Sequence, residues 1–245
     1  MKLAFKAFFM CLGMFSSIPC PYRPWDDDAR GMMTACLPLV GAVIGLIWWI
    51  AASISGQFLP QPLCAAVIAA MPFLLTGFMH LDGFMDTSDA ILSWRPLEER
   101  LRILKDSHTG AFAVVNLCVL MMFMYAAAQS AADLDKRIFV LIPVISRCCS
   151  AFCVTTLRPL GHSEYKAHSG NTAQRLSIIA IWLIAIIVGF FWLGKPALAL
   201  IVETIAYIAA MGSVVRILKG VSGDLAGYSL SISELCALIA FSVIH

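Results

Sequence analysis

The stretch PLCAAVIAAMPFLLTGFMHLDGFMDTSD, residues 62–89, joins a long apolar run to a group of three aspartates. The apolar part, residues 62–80, is long enough to cross a bilayer as a helix. Asp82, Asp86 and Asp89 follow at positions i, i+4 and i+7. The stretch therefore predicts a membrane-spanning helix with a polar site at one end.

The composition of the whole chain agrees with a membrane protein. Of its 245 residues, 60% are hydrophobic and 13% are charged, whereas soluble domains carry about 25% charged residues. This composition argues against disorder and nucleic-acid binding and favours a polytopic membrane protein. The nine cysteines form no CxxC pair, so we interpret them as small buried hydrophobic residues rather than a zinc site.

Apolar runs along the chain predict an all-α bundle of about seven transmembrane helices in a single domain, residues 1–245. The N-terminal residues 1–33 are predicted to form an interfacial or re-entrant segment, and residues 81–108 a cytoplasmic segment that carries the acidic motif. The spans are predicted at residues 34–55, 62–80, 109–129, 138–157, 176–193, 196–215 and 228–245.

The basic residues are distributed unevenly between the two sides of this predicted bundle. One side collects thirteen Lys and Arg residues and the other only three, while Arg147 falls inside a span. The positive-inside rule places the richer side, with all the acidic motifs, in the cytoplasm. We therefore expect a multi-pass protein of the cell (inner) membrane with a cytoplasmic active site, a cytoplasmic N-terminus and an external C-terminus.

The three aspartates call for a cation between them. On a helix, Asp82, Asp86 and Asp89 fall within an arc of about 60°, and carboxylates so close disfavour ionisation of one another. Mg²⁺ prefers hard oxygen ligands and commonly joins a few carboxylates to substrate phosphates. The pattern predicts a Mg²⁺ site that acts on a phosphate or diphosphate ester, whereas aspartates that merely face water are the alternative.

A second polar group lies at KDSHTGAF, residues 105–112. Asp106 is a candidate metal ligand or base, and Arg102 and Lys105 are candidates to hold phosphate oxygens. Gly110 permits close approach of a substrate at the start of the third span, where helix amides favour an anion. An ordinary polar helix entry is the alternative interpretation.

A third group lies near the C-terminus in SGDLAGYSLSISE, residues 222–234. Asp224 lies between two glycines at the mouth of the last helix and is a candidate for the same site. Glu234 falls inside the helix, where carboxylates are costly, so it is expected to be functional or paired. Arg147 and Glu203 pose the same problem and are candidates to pair with each other. The loop at residues 158–171, with two histidines, is interpreted as a substrate lid.

These motifs, in this order, resemble those of the adenosylcobinamide-GDP ribazoletransferase (cobalamin synthase) family. HLDGFMDTSDA, residues 80–90, is similar to the family's HLDGLADTADG motif, KDSHTGAF to its RDSRxGxxG segment, and SGDLAG to its TGDxxGA segment. IPCPYRPW and TACLPLVGAVIG also resemble the family's N-terminal pattern. The resemblance covers the whole chain.

The resemblance implies that adenosylcobinamide-GDP reacts with α-ribazole, or its 5′-phosphate, to give adenosylcobalamin, or its phosphate, and GMP. It implies a Mg²⁺-dependent transferase in a lipid bilayer, with no nucleic-acid partner, and it leaves a homo-oligomer open. The predicted catalytic residues are Asp82, Asp86, Asp89 and Asp106; substrate-binding residues are His80, Arg102, Lys105, Gly110 and Asp224; and metal ligands are Asp82, Asp86, Asp89, Asp106, Asp224 and Glu234.

Two other functions stay open at the level of the residues. A lipid-head-group phosphotransferase also uses spaced aspartates at a membrane edge, but DGFMDTSD lacks the alanine–arginine pair of its DGxxAR pattern. A cation-coupled transporter would carry carboxylates at mid-membrane in both halves, whereas most acidic residues here are predicted at one surface.

Overall fold

The computed structural model describes residues 2–160 and 171–245. Over these ranges the chain is 80% helical and has no strands, which confirms the predicted all-α class. The helices, in chain order, are α1 (Lys2–Phe15), α2 (Asp27–Arg30), α3 (Met33–Phe58), α4 (Gln61–Leu75), α5 (Met79–Leu92), α6 (Leu97–Ile103), α7 (Ala111–Ala131), α8 (Ile138–Thr156), α9 (Thr172–Leu193), α10 (Leu198–Leu218) and α11 (Gly223–Ile244).

Six helices of the described chain are long and apolar enough to cross a membrane: α3, α7, α8, α9, α10 with the 3₁₀ turn before it, and α11. The bent pair α4 and α5 is the seventh candidate. Most helix ends differ from the predicted ends by a few residues. The last helix begins at Gly223 rather than at residue 228, because the Ser222 side chain caps it and the polar SGDLAG stretch is helical.

The predicted span at residues 62–80 is broken in the structure. Helix α4 ends at Leu75, and α5 leaves it at an angle of 88°. Gly77 and Phe78 both adopt positive φ, which ends the helix and turns the chain. Ser17 then satisfies the free carbonyls at the end of α4, donating from its backbone N–H to Leu75 and from its hydroxyl to Leu74. The acidic motif therefore forms a helix of its own, separate from the apolar helix that precedes it.

Contacts between loops show which helix ends share a face. At one end, Gln61 donates a hydrogen bond to Asp133 at 3.1 Å, so the α3–α4 and α7–α8 connections are neighbours. At the other end, the backbones of Leu160 and Val221 pair, and Arg175 donates to the Thr155 carbonyl at 2.6 Å. Helix α5 belongs to this second end, because α4 leads to it from Gln61. We call this second end the acidic face.

Helices α3 and α8 pack closely at the centre of the bundle. A Cβ atom at Gly41 or Gly45 would collide with backbone carbonyls of Pro143 or Val140, so these glycines permit the close approach. Trp48 stacks on Phe139 with a centroid distance of 4.9 Å. Its indole N–H donates to the Ile68 carbonyl of α4 at 2.9 Å, which ties a third helix to the pair.

The N-terminal segment forms α1 and α2, joined by an ion pair between Lys6 and Asp26 at 2.7 Å. Helix α1 buries Ala7, Met10, Cys11 and Leu12 and packs on α3. Its predicted place in the membrane interface stays a prediction. Most of the predicted lid loop, residues 161–170, lies outside the described residues.

Candidate active site

Helix α5 presents its three aspartates along one face, as their spacing predicts. Asp82 is exposed, whereas Asp86 and Asp89 are half-buried. The opposite side of the helix is buried at Phe84 and Ser88. The Ser88 hydroxyl accepts a hydrogen bond from Asn116 of α7 at 2.7 Å, so a polar contact fixes the buried side of α5 against its neighbour.

Helix α11 brings the fourth aspartate to this face. A Cβ atom on Gly83 would lie 2.7 Å from the Asp224 Cα, and one on Gly227 would lie 3.0 Å from the His80 carbonyl oxygen. The two glycines therefore allow α5 and α11 to approach closely. Phe84 and Tyr228 stack beside this contact at 5.4 Å. The sequence placed Asp82 and Asp224 in separate motifs, and this glycine contact brings them together.

The electrostatic neighbours of Asp86 are three carboxylates: Asp82, Asp224 and Asp89. Asp82 also acts on Asp224, which is half-buried. Within residues 2–160 and 171–245, no three Asp, Glu, His or Cys side chains are arranged to hold a metal ion by themselves. A group of carboxylates suits Mg²⁺ as a donor set, because this ion takes few protein ligands and completes its shell with water and substrate phosphate.

Asp89 has different partners from Asp82 and Asp86. Its Oδ2 accepts the backbone N–H of Gly110 at 2.6 Å, and its Oδ1 accepts that of Ala113 at 3.3 Å. The carboxylate thereby caps the N-terminus of α7, where amides and the helix dipole favour an anion. A Cβ on Gly110 would collide with this carboxylate. The sequence predicted that a substrate anion binds the amides at the start of this helix. In this structure the Asp89 carboxylate occupies that position.

Asp106 lies among different partners from those of Asp86. Its Oδ1 accepts hydrogen bonds from the backbone N–H of His108 at 3.0 Å and from His108 Nδ1 at 2.7 Å. Both bonds lower the pKa of Asp106, and the backbone bond has the larger effect. The Asp106 carboxylate is therefore ionised at neutral pH. Arg102 is a further electrostatic neighbour of Asp106.

The two residues predicted to bind phosphate, Arg102 and Lys105, differ in their contacts. Arg102 makes a bidentate ion pair with Glu99 at 2.6 and 3.0 Å, and this pair is exposed. Lys105 is exposed at the end of the same segment. Arg102 must therefore leave Glu99 if it is to bind a phosphate oxygen as predicted.

The structure gives Glu234 a different partner from the predicted metal ion. Glu234 is 1% exposed, and its Oε1 lies 2.5 Å from Arg147 Nη1 and 2.9 Å from the Ser146 hydroxyl. Ten residues of helix separate it from Asp224, a rise of about 15 Å. We therefore remove Glu234 from the candidate metal ligands. The pairing expected between Arg147 and Glu203 is likewise corrected, since Arg147 pairs with Glu234.

Glu203 of α10 is the second buried carboxylate in this region. It is fully buried, and its electrostatic neighbours include Glu234 and Arg147. One arginine thus faces two glutamates inside the bundle.

His80 lies on the other side of α5 from Asp82, as its position two residues earlier in the helix predicts. It lines a cavity with Asp224, Ser150 and Thr34, which belong to three other helices. Neither Ser150 nor Thr34 was a candidate in the sequence, because single hydroxyl residues in apolar runs give no signal of function. The cavity and the aspartates meet at Asp224.

Comparison with known proteins places these features in a family. The family model described as cobalamin-5-phosphate synthase matches residues 7–242. An adenosylcobinamide-GDP ribazoletransferase of Clostridium perfringens (strain SM101 / Type A) is 36% identical over 100% of both chains. Proteins of the same name from Clostridium botulinum (strain Alaska E43 / Type E3) and Lachnoclostridium phytofermentans are 36% and 29% identical, covering 98% and 96% of this chain and 98% and 92% of theirs. No solved structure matches the chain.

Proposed function

The chain belongs to the cobalamin-5-phosphate synthase family, and from that premise we propose that it transfers adenosylcobinamide phosphate from adenosylcobinamide-GDP to α-ribazole or its 5′-phosphate. The products are adenosylcobalamin or its phosphate, and GMP. The names of the relatives support a transferase of cobalamin synthesis. The grouping of Asp82, Asp86 and Asp224 on one face is the structural observation that supports transfer of a phosphoryl group.

The reaction exchanges one P–O bond for another. A ribose hydroxyl oxygen of the acceptor bonds to the phosphorus that carries the cobinamide. The bond from that phosphorus to the bridging oxygen breaks, GMP leaves with the bridging oxygen, and the hydroxyl proton passes to solvent. Such a step depends on positioning and on stabilisation of charge more than on covalent chemistry of the protein.

Asp82, Asp86 and Asp224 would hold Mg²⁺ in this proposal. When bound, the ion supplies positive charge that neutralises the diphosphate. The aspartates orient the diphosphate at the mouth of the bundle, and Lys105 lies free at the same face to contact phosphate oxygens. An ordinary aspartate, with a pKa near 3.9, is a weak base, so we assign the carboxylates to binding rather than to proton abstraction.

Asp89 acts through α7 in this proposal rather than on the substrate. By holding Gly110 and Ala113 it keeps the start of α7 against α5, on which Asp86 lies. Asp106 and Arg102 lie on the connection between these two helices. We propose that they contact the nucleotide after Arg102 releases Glu99. The distribution of basic residues supports a cytoplasmic location of the whole site.

The test is release of GMP by the purified protein. Protein in lipid nanodiscs, with Mg²⁺, adenosylcobinamide-GDP and α-ribazole, should form GMP and the corrinoid product in equal amounts. GMP should not form when EDTA replaces Mg²⁺. An active preparation of a relative serves as the positive control, and absence of GMP under conditions where that relative is active would reject the proposal.

A further inference from the structure

A cavity opens beside the aspartates, between α3, α5, α8 and α11. It has a volume of about 150 Å³, about that of an engineered apolar cavity that binds benzene. Its walls combine apolar side chains, such as Leu37 and Val154, with the polar side chains of Thr34, His80 and Ser150. This combination is typical of a site for a flat, mostly apolar ligand with a few hydrogen-bonding atoms.

His80 carries an unused hydrogen-bonding atom in this cavity. Its Nε2 is buried and has no hydrogen-bond partner among the described residues. Buried polar atoms in folded proteins nearly always have a partner. Because His80 lines the cavity, a ligand bound there would supply one.

The cavity is connected to the candidate active site through a single residue. Asp224 lines the cavity and is also an electrostatic neighbour of Asp82 and Asp86. A molecule that fills the cavity therefore has one end at the carboxylates and the other between the helices. The reacting hydroxyl of an acceptor needs this placement if it is to meet the diphosphate.

Size distinguishes between the two substrates. A corrinoid joined to GDP is several times larger than a nucleoside and exceeds a cavity of this volume. A heteroaromatic base is of the size that a cavity of this volume accepts, and its ribose would lie at the mouth of the cavity beside Asp224. The apolar walls suit a base without charge.

We propose that this cavity binds the nucleoside acceptor, with its base between Leu37 and Val154, a ring nitrogen of the base hydrogen-bonded to His80 Nε2, and its ribose at Asp224. The inference rests on the proposed function, and it assigns the nucleoside, one of the two substrates, to this cavity. It makes His80 a residue for the acceptor rather than for the corrinoid.

The experiment measures each substrate separately. Equilibrium dialysis with radiolabelled α-ribazole gives nucleoside binding without the second substrate, and steady-state GMP release gives KM for each substrate. His80→Ala should weaken nucleoside binding and raise its KM by about tenfold, with KM for adenosylcobinamide-GDP unchanged. His80→Gln, which keeps a hydrogen-bonding group, should restore part of the loss.

A second variant fills the cavity. Val154→Trp should abolish nucleoside binding, whereas Val119→Trp, the same change on an exposed side of α7, should leave it intact. Wild-type nucleoside KM in both His80→Ala and Val154→Trp would overturn the inference, as would a raised KM for adenosylcobinamide-GDP alone. If the wild type releases no GMP, the proposed function fails, and dialysis with these variants still tests the cavity.

Discussion

Aspartates of the same motif have different partners in this structure, because different helices lie opposite them. Asp82 and Asp86 lie near another carboxylate, that of Asp224, and the three are candidates to bind one cation together. Asp89, one helical turn further on, already has two backbone N–H donors. Spacing along α5 puts all three on one face, and only the neighbours decide which of them are available to a ligand.

Removing the charge of Asp82 or Asp86 should abolish turnover. Asp82→Asn or Asp86→Asn keeps the side-chain size but loses the negative charge, so GMP release should fall about 10²-fold or more. Membrane insertion and gel-filtration behaviour should match those of the wild type. Asp133→Asn, a change on the opposite face of the bundle, is the matched control and should retain activity. Normal GMP release by Asp82→Asn would contradict the proposed site.

Asp89 should respond to substitution as a helix cap does. Asp89→Asn keeps an oxygen acceptor for the α7 amides, while Asp89→Ala removes both acceptors. Loss of an N-cap costs about 1 kcal/mol, so Asp89→Ala should unfold at lower temperature than Asp89→Asn, as measured by thermal denaturation in detergent. If the two variants were equally stable and both inactive, Asp89 would act on the substrate instead.

The site is positioned by helix crossings at which glycine lets two backbones approach closely. The close approach of α5 and α11 depends on Gly83 and Gly227, and it sets the relation between Asp82 and Asp224. Similar glycine contacts join α3 and α8. Small residues at such crossings are the usual means of close packing between membrane helices.

A methyl group at Gly83 should therefore separate the aspartates. Gly83→Ala would place Cβ against the Asp224 backbone at 2.7 Å, and GMP release should drop together with thermal stability. Gly212→Ala in α10 is the control, because nothing lies within 4 Å of its Cβ position, and alanine is favoured in helices by up to about 1 kcal/mol. Equal activity of the two variants would mean that α5 and α11 have room to move apart.

The buried pair of Arg147 and Glu234 joins α8 to α11. Glu234→Leu should destabilise the protein by about 3–5 kcal/mol, because it leaves the Arg147 charge buried without its hydrogen-bonded partner. Replacing both residues, with Arg147→Met and Glu234→Leu, should recover much of this loss. Chemical denaturation of the four members of this double-mutant cycle measures the coupling. Additive effects would show that the pair contributes nothing.

At the scale of the whole molecule, alternating helix ends put the N-terminal segment, α5 and the starts of α7 and α11 on one face. Because seven crossings result when α4 is counted, the two chain ends should lie on opposite sides of the membrane. A C-terminal tag should react with an impermeant reagent added outside intact cells, whereas a cysteine introduced at Ser107 should not. Reaction of both sites, or of neither, would overturn this topology.

Much of this protein could be predicted from its sequence, because the relevant signals are local. A bilayer requires long apolar helices, so hydropathy indicates the class and approximate positions of the spans. The i, i+4, i+7 spacing likewise indicates a shared helical face, and the order of motifs indicates the family. These inferences need only neighbouring residues along the chain.

The tertiary structure decided which residues meet. Positive φ at Gly77 and Phe78 ends one helix early and turns the acidic motif to an angle of 88° from it, whereas hydropathy suggested a continuous span. Asp89 caps α7, Glu234 pairs with Arg147, and His80 faces a cavity shared with Asp224. Each of these depends on contacts between helices that are distant in sequence, and periodicity within one helix carries no information about what lies opposite.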